Sequence, residues 1–76
     1  MKLQIYGSGC AKCQQLTANA EAAATQLGLS YELEKISDLN AIIHAGVMRT
    51  PALAVDGDIV VEGKVPDSKE LAQLLG

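Results

Sequence analysis

The 76-residue chain has no tryptophan, no phenylalanine and only two tyrosines, Tyr6 and Tyr31. Its core must therefore be aliphatic, and with 49% hydrophobic residues the material for one is present. A disordered chain is excluded, because disorder goes with low hydrophobicity and high charge. Basic residues are scarce too: six Lys and Arg stand against nine Asp and Glu, for a net charge of -3. Nucleic-acid binding calls for clustered cations, and a membrane-surface helix calls for a basic face; neither is present. Long apolar runs are missing, since stretches such as Ile59-Val60-Val61 fall far short of a membrane span. No apolar leader follows Met1-Lys2, so the cytoplasm is the expected compartment. The length allows one domain, residues 1–76, expected to act as a monomer without nucleic acid or membrane as partner.

Cysteine is also scarce, with only Cys10 and Cys13. Two cysteines are too few for a disulfide scaffold. A bridge between them closes a very small loop and removes little unfolded-state entropy. If they pair, the reason is chemistry rather than stability.

The pattern along the chain predicts β-α-β-α-β-β-α. Lys2-Leu3-Gln4-Ile5-Tyr6 alternates as a strand, and Gly7-Ser8-Gly9 breaks it as a flexible turn. From Cys10 to Leu27 the period changes: Cys13, Leu16, Ala20, Ala23 and Leu27 define one helical face. Gly28 stands where a helix C-cap is expected. A second strand spans Ser30 to Ile36. Ser37 or Asp38 can cap a short helix through Ile42, Ile43 and His44, ended by Gly46. Thr50-Pro51 leads into Ala52-Leu53-Ala54-Val55. Asp56-Gly57 signals a type I′ hairpin to Asp58-Ile59-Val60-Val61. Asp67 with Glu70 resembles a capping box before a last helix carrying Leu71, Leu74 and Leu75. Strands one and two, joined through a helix, should be parallel. The expected fold is α/β, a four-stranded mixed sheet with three helices on both faces. The polar face of Lys2 and Gln4 implies that the short second helix covers its side incompletely.

Cys10 falls at the turn-to-helix boundary and Cys13 within the first helical turn. Residues three apart there are surface neighbours, within reach of a disulfide. Free N–H groups and the helix dipole stabilise a thiolate on Cys10, Lys12 adds a cation, and Gly9 leaves the sulfur uncrowded. Such settings lower a cysteine pKa from ~8.5 to roughly 3.5–7.5. Cys10 then attacks a disulfide, and Cys13, on the inner face, resolves the mixed disulfide.

A Cys-x-x-Cys pair also serves metal sites. Zinc usually needs four ligands, and the chain offers two cysteines and His44. A copper(I) or other metal carrier using both thiolates is the main alternative, although such domains order their elements β-α-β-β-α-β. A redox-sensing interaction module without turnover is a third reading.

With Gly9-Cys10-Ala11-Lys12-Cys13, then Val47-Met48-Arg49-Thr50-Pro51 before a strand, then Gly63-Lys64-Val65-Pro66 before the last helix, the chain resembles the thioredoxin superfamily. Within it, the chain is similar to the short branch of small redox-active disulfide proteins. The resemblance implies a thiol–disulfide oxidoreductase or electron carrier that needs no cofactor beyond a redox-active Cys10–Cys13 disulfide, and no metal. It implies a cis Thr50-Pro51 bond opposite the cysteines, with the Thr50 backbone pairing to an extended substrate segment. Substrates would be disulfide-containing proteins or small thiols, and the reductant a flavin-dependent enzyme like thioredoxin reductase. Gly9 stands where typical thioredoxins have Trp, and the Ala11-Lys12 insert differs from theirs, so redox direction does not carry over.

Among the remaining residues, Met48 is expected to pack near the dithiol as a flexible apolar contact. Tyr6 is equally well explained by lining the site or filling the core. His44 and Arg49 read as surface residues, with Arg49 able to steer an anionic partner.

Overall fold

The computed structural model describes residues 1–9 and 11–76. Alternation in the first strand, β1 (Lys2–Tyr6), sends Leu3 and Ile5 to one face and Gln4 and Tyr6 to the other. Helix α1 (Ala11–Gln26) follows, then β2 (Glu32–Ile36), α2 (Leu39–His44), β3 (Ala52–Val55), β4 (Asp58–Glu62) and α3 (Ser68–Leu75). The sheet order is β2-β1-β3-β4. Strand β2 runs parallel to β1, and the other two pairings are antiparallel. The fold is therefore the α/β arrangement expected from the sequence.

Helices cover both faces. Leu16, Ala20, Ala23 and Ala24 of α1 and Leu71 of α3 share a core with Leu3, Ile5, Leu53 and Val61. On the other face, Ile42 of α2 and Val47 meet Tyr6, Ala52 and Ala54. With only six residues, α2 covers the Tyr6 end of β1 and leaves the other end to polar pairs. There Gln4 Nε2 donates to Glu34 Oε1 at 2.8 Å, and Lys2 Nζ lies 3.6 Å from the same oxygen. These two partners, Gln4 first, hold the Glu34 carboxyl below its ordinary pKa.

The ends of the elements follow local chemistry. Helix α1 closes in a Schellman motif, with Gly28 N–H donating to Thr25 O and Leu29 N–H to Ala24 O, both at 3.0 Å. Asp38 and Asp67 cap α2 and α3, accepting from Ala41 N–H at 3.2 Å and Glu70 N–H at 2.8 Å. At the β3–β4 turn, Asp56 (φ 50°) and Gly57 (φ 93°) are both left-handed, as a type I′ turn requires. Asp56 Oδ1 also accepts from Lys2 N–H at 2.8 Å, tying the turn to the start of β1.

One expectation needs correction, and two details of the last elements go beyond the local pattern. Leu27 lies beyond the end of α1 and is 41% exposed; Thr17 and Ala24 join the buried face in its place. Leu74 points outward, 52% exposed, because α3 has one buried position, Leu71. Strand β4 is not regularly paired: its register with β3 shifts between Leu53 and Ala54. That bulge lets Val61 enter one core and Ile59 the other. Among the described residues no helix is long and apolar enough to cross a membrane.

Candidate active site

Cys13 sits in the first turn of α1 and is buried at 4% exposure. Its carbonyl accepts from Thr17 Oγ1 at 2.9 Å, which satisfies the buried hydroxyl within the helix. Gly7, the residue after β1, lies directly against this cysteine. A methyl group on Gly7 would collide with Cys13 Sγ, and would stand 3.4 Å from Cys13 Cβ and 3.9 Å from Pro51 Cα. Gly7 is therefore the point where the helix, the first strand and the proline loop meet. The sequence pattern suggested a flexible turn; the structure uses glycine here for close approach. The Gly7 N–H donates to Ile36 O at 2.9 Å, extending the β1–β2 ladder into the site.

Gly9 has a different task. It is left-handed (φ 81°), and, its chain neighbours aside, no atom of the described residues lies within 4 Å of where its Cβ would be. Its backbone conformation, rather than crowding, is what calls for glycine. Gln14 Nε2 donates to the Gly9 carbonyl at 3.1 Å, linking the turn to α1. Lys12 is exposed on the first turn of that helix. Cys10, expected as the nucleophile, lies outside the described residues.

The loop between α2 and β3 is held at its buried ends, Val47 and Pro51. The Thr50–Pro51 peptide bond is cis. Between the anchors, Met48, Arg49 and Thr50 are exposed. Met48 does not pack in the way expected: it is 86% exposed, since Val47 takes the inward position. The end of β4 supports this loop. Glu62 Oε2 accepts from Met48 N–H at 2.8 Å, and Gly63 N–H donates to Pro51 O at 2.9 Å. The stem of Arg49 lies across Gly63, with Arg49 Cδ 3.1 Å from where a Cβ would be.

An open cavity of about 250 Å³ lies beside Cys13, lined also by Gly7, Ser8, Thr17, Lys35 and Ser37. Lys35 was not singled out from the sequence. The available signal was that it continues the strand face of Tyr31 and Leu33, both packed on the α1-side core, with a charge. Glu62 carried no comparable signal. Tyr6 fills the core at 6% exposure, and His44 is on the surface.

The structure thus brings Cys13, Gly7 and Pro51 together, with Gly9 and Lys12 on the same turn-to-helix segment. A family model described as a thioredoxin domain matches residues 1–76. A thioredoxin of Methanothermobacter thermautotrophicus is 45% identical over 75 residues, covering 99% of this chain and 97% of that protein. A thioredoxin of Methanocaldococcus jannaschii is 40% identical over 73 residues, covering 96% of this chain and 84% of its own length. The glycine-lined junction of first strand, first helix and cis-proline loop is thus set in a chain that belongs to the thioredoxin family.

Proposed function

We propose that this thiol–disulfide oxidoreductase works through Cys10 and Cys13, with Cys10 as nucleophile and Cys13 as resolving thiol. The observation that carries the reading is the burial of Cys13 against Gly7 with Pro51 beside it. A resolving thiol needs that setting, shielded from outside disulfides yet on the helix that begins one residue after Cys10.

The Cys10 thiolate attacks one sulfur of a substrate disulfide, the S–S bond breaks, and one substrate thiolate leaves. Cys13 loses its proton and attacks Cys10 sulfur, forming the Cys10–Cys13 disulfide and releasing the second substrate thiolate. The substrate gains two electrons and the protein loses two. Lys12 and the N–H groups at the start of α1 favour the attacking thiolate. Gly9 supplies the backbone turn that precedes it. Thr50 offers its backbone to an extended substrate segment, with Pro51 beneath and Met48 as an exposed apolar contact. Substrates are disulfide-containing proteins, the reductant is a thioredoxin-reductase-like flavoenzyme, and no cofactor beyond the dithiol is needed. The chain acts as one domain, residues 1–76, as a monomer in the cytoplasm. The metal-carrier alternative has no support among the relatives, which are thioredoxins.

The test is trapping. Cys13→Ser should accumulate a mixed disulfide through Cys10 when given insulin, Cys10→Ser should trap nothing, and the unmodified pair should reduce insulin with dithiothreitol as donor. Insulin reduction that survives Cys10→Ser would refute the assignment.

A further inference from the structure

We propose that Glu62 is a positioning residue for substrate, setting the loop against which an incoming chain is aligned. The inference rests on the dithiol reading above and adds to it a residue at the far end of β4, outside the cysteine motif and the proline loop.

Residues 48–50 form the exposed part of the loop: Met48 is 86% exposed, and the segment's side-chain packing is the Arg49 stem against Gly63. Among the described residues, the Glu62 carboxylate makes the one side-chain hydrogen bond to this segment, to Met48 N–H at 2.8 Å. A charged acceptor at that distance makes a strong backbone tether. The neighbouring residue supplies a second tether, Gly63 N–H to Pro51 O at 2.9 Å. Together they clamp the loop at both ends of Met48–Pro51. Glu62 itself is fixed by the sheet, where it pairs with Ala52, the residue following Pro51. The carboxylate therefore stands on a paired strand and reaches back to the exposed part of the loop.

A substrate strand that pairs with Thr50 needs this backbone in one arrangement. Without the Met48 tether, only a fraction of molecules present it, and apparent affinity falls by that fraction. The chemistry at the cysteines is untouched, so KM should rise while kcat stays. A small disulfide that makes no strand pairing should not respond.

The experiment compares wild type, Glu62→Ala and Glu62→Gln, each reducing insulin and a small aromatic disulfide reagent. Gln keeps an acceptor oxygen and should rescue. Expected for Glu62→Ala is a rise in insulin KM on the order of tenfold, kcat and the small-disulfide rate unchanged, and Glu62→Gln close to wild type. Insulin KM equal in all three proteins, or equal losses on both substrates, would overturn the inference. Hydrogen exchange at the Met48 amide of wild type provides a check that does not depend on the alanine variant folding. Protection there is expected, and exchange as fast as in an unstructured loop would overturn the inference. Wild type that reduces neither substrate would instead overturn the dithiol reading, and this inference with it.

Discussion

Replacing Gly7 by alanine puts a methyl group where Cys13 Sγ already sits. Neither partner can easily give way. The Gly7 N–H is held by Ile36 O at 2.9 Å, and Cys13 is in the first turn of α1 with its carbonyl bonded to Thr17. Overpacking of this kind costs about 1–3 kcal/mol. In a domain of this size each kcal/mol moves Tm by roughly 4–8 °C, so a fall of roughly 4–24 °C is expected. The displaced sulfur should also resolve the mixed disulfide more slowly. Gly9→Ala is the control: it meets no atom of the described residues beyond its chain neighbours but strains a left-handed backbone, a cost of roughly 1–2 kcal/mol. The two variants should therefore melt at similarly lowered temperatures. Only Gly7→Ala should change the alkylation rate of Cys13 in a Cys10→Ser background. Circular dichroism melts and timed alkylation read the two effects separately. Gly7→Ala that melts with wild type and leaves Cys13 reactivity unchanged would refute the close-approach argument.

Other consequences can be checked the same way. Gly57→Ala forces a side chain into φ 93° at the β3–β4 turn and should lower stability by roughly 1–2 kcal/mol in urea unfolding, with the m-value unchanged. Asp67→Ala removes the acceptor for Glu70 N–H and should cost about 1 kcal/mol by the same measurement. Glu34 has a lowered pKa, chiefly from Gln4 and then from Lys2. Its folded value lies below its unfolded one, so its stabilising contribution is present above the unfolded value and is lost as pH falls through the folded one. Gln4→Leu should move the Glu34 titration, followed by NMR, up toward the ordinary carboxylate range; an unmoved titration would contradict the assignment.

Much of this molecule is written in local pattern. Alternation in Lys2–Tyr6, the three-and-four spacing of Cys13, Leu16, Ala20 and Ala23, the Asp56-Gly57 turn and the Asp38 and Asp67 caps are all short-range chemistry, and each lies where the pattern put it. The cysteine pair could be singled out for the same reason, because position at a helix start is itself local. The differences between pattern and structure are local in origin too. Leu27 continued the helical period, but the Schellman turn at Gly28 ends the helix before it. Met48 looked like a packing residue by composition, yet the neighbouring Val47 took the inward position.

Long-range packing supplied what the local pattern could not contain. Whether a glycine serves a turn or a close contact depends on what a distant helix brings against it, and for Gly7 that is Cys13. Lys35 shares a cavity with the same cysteine because β2 pairs in parallel with β1. Glu62 reaches Met48 because β4 closes back on β3, and no periodicity in the chain records that meeting. The elements, their order and the place of Cys13 in the first turn of a helix were legible along the chain, since these follow from sequence neighbours. The surroundings of Cys13 came from strand pairing and packing, because contacts between residues far apart in sequence exist only once the sheet has formed.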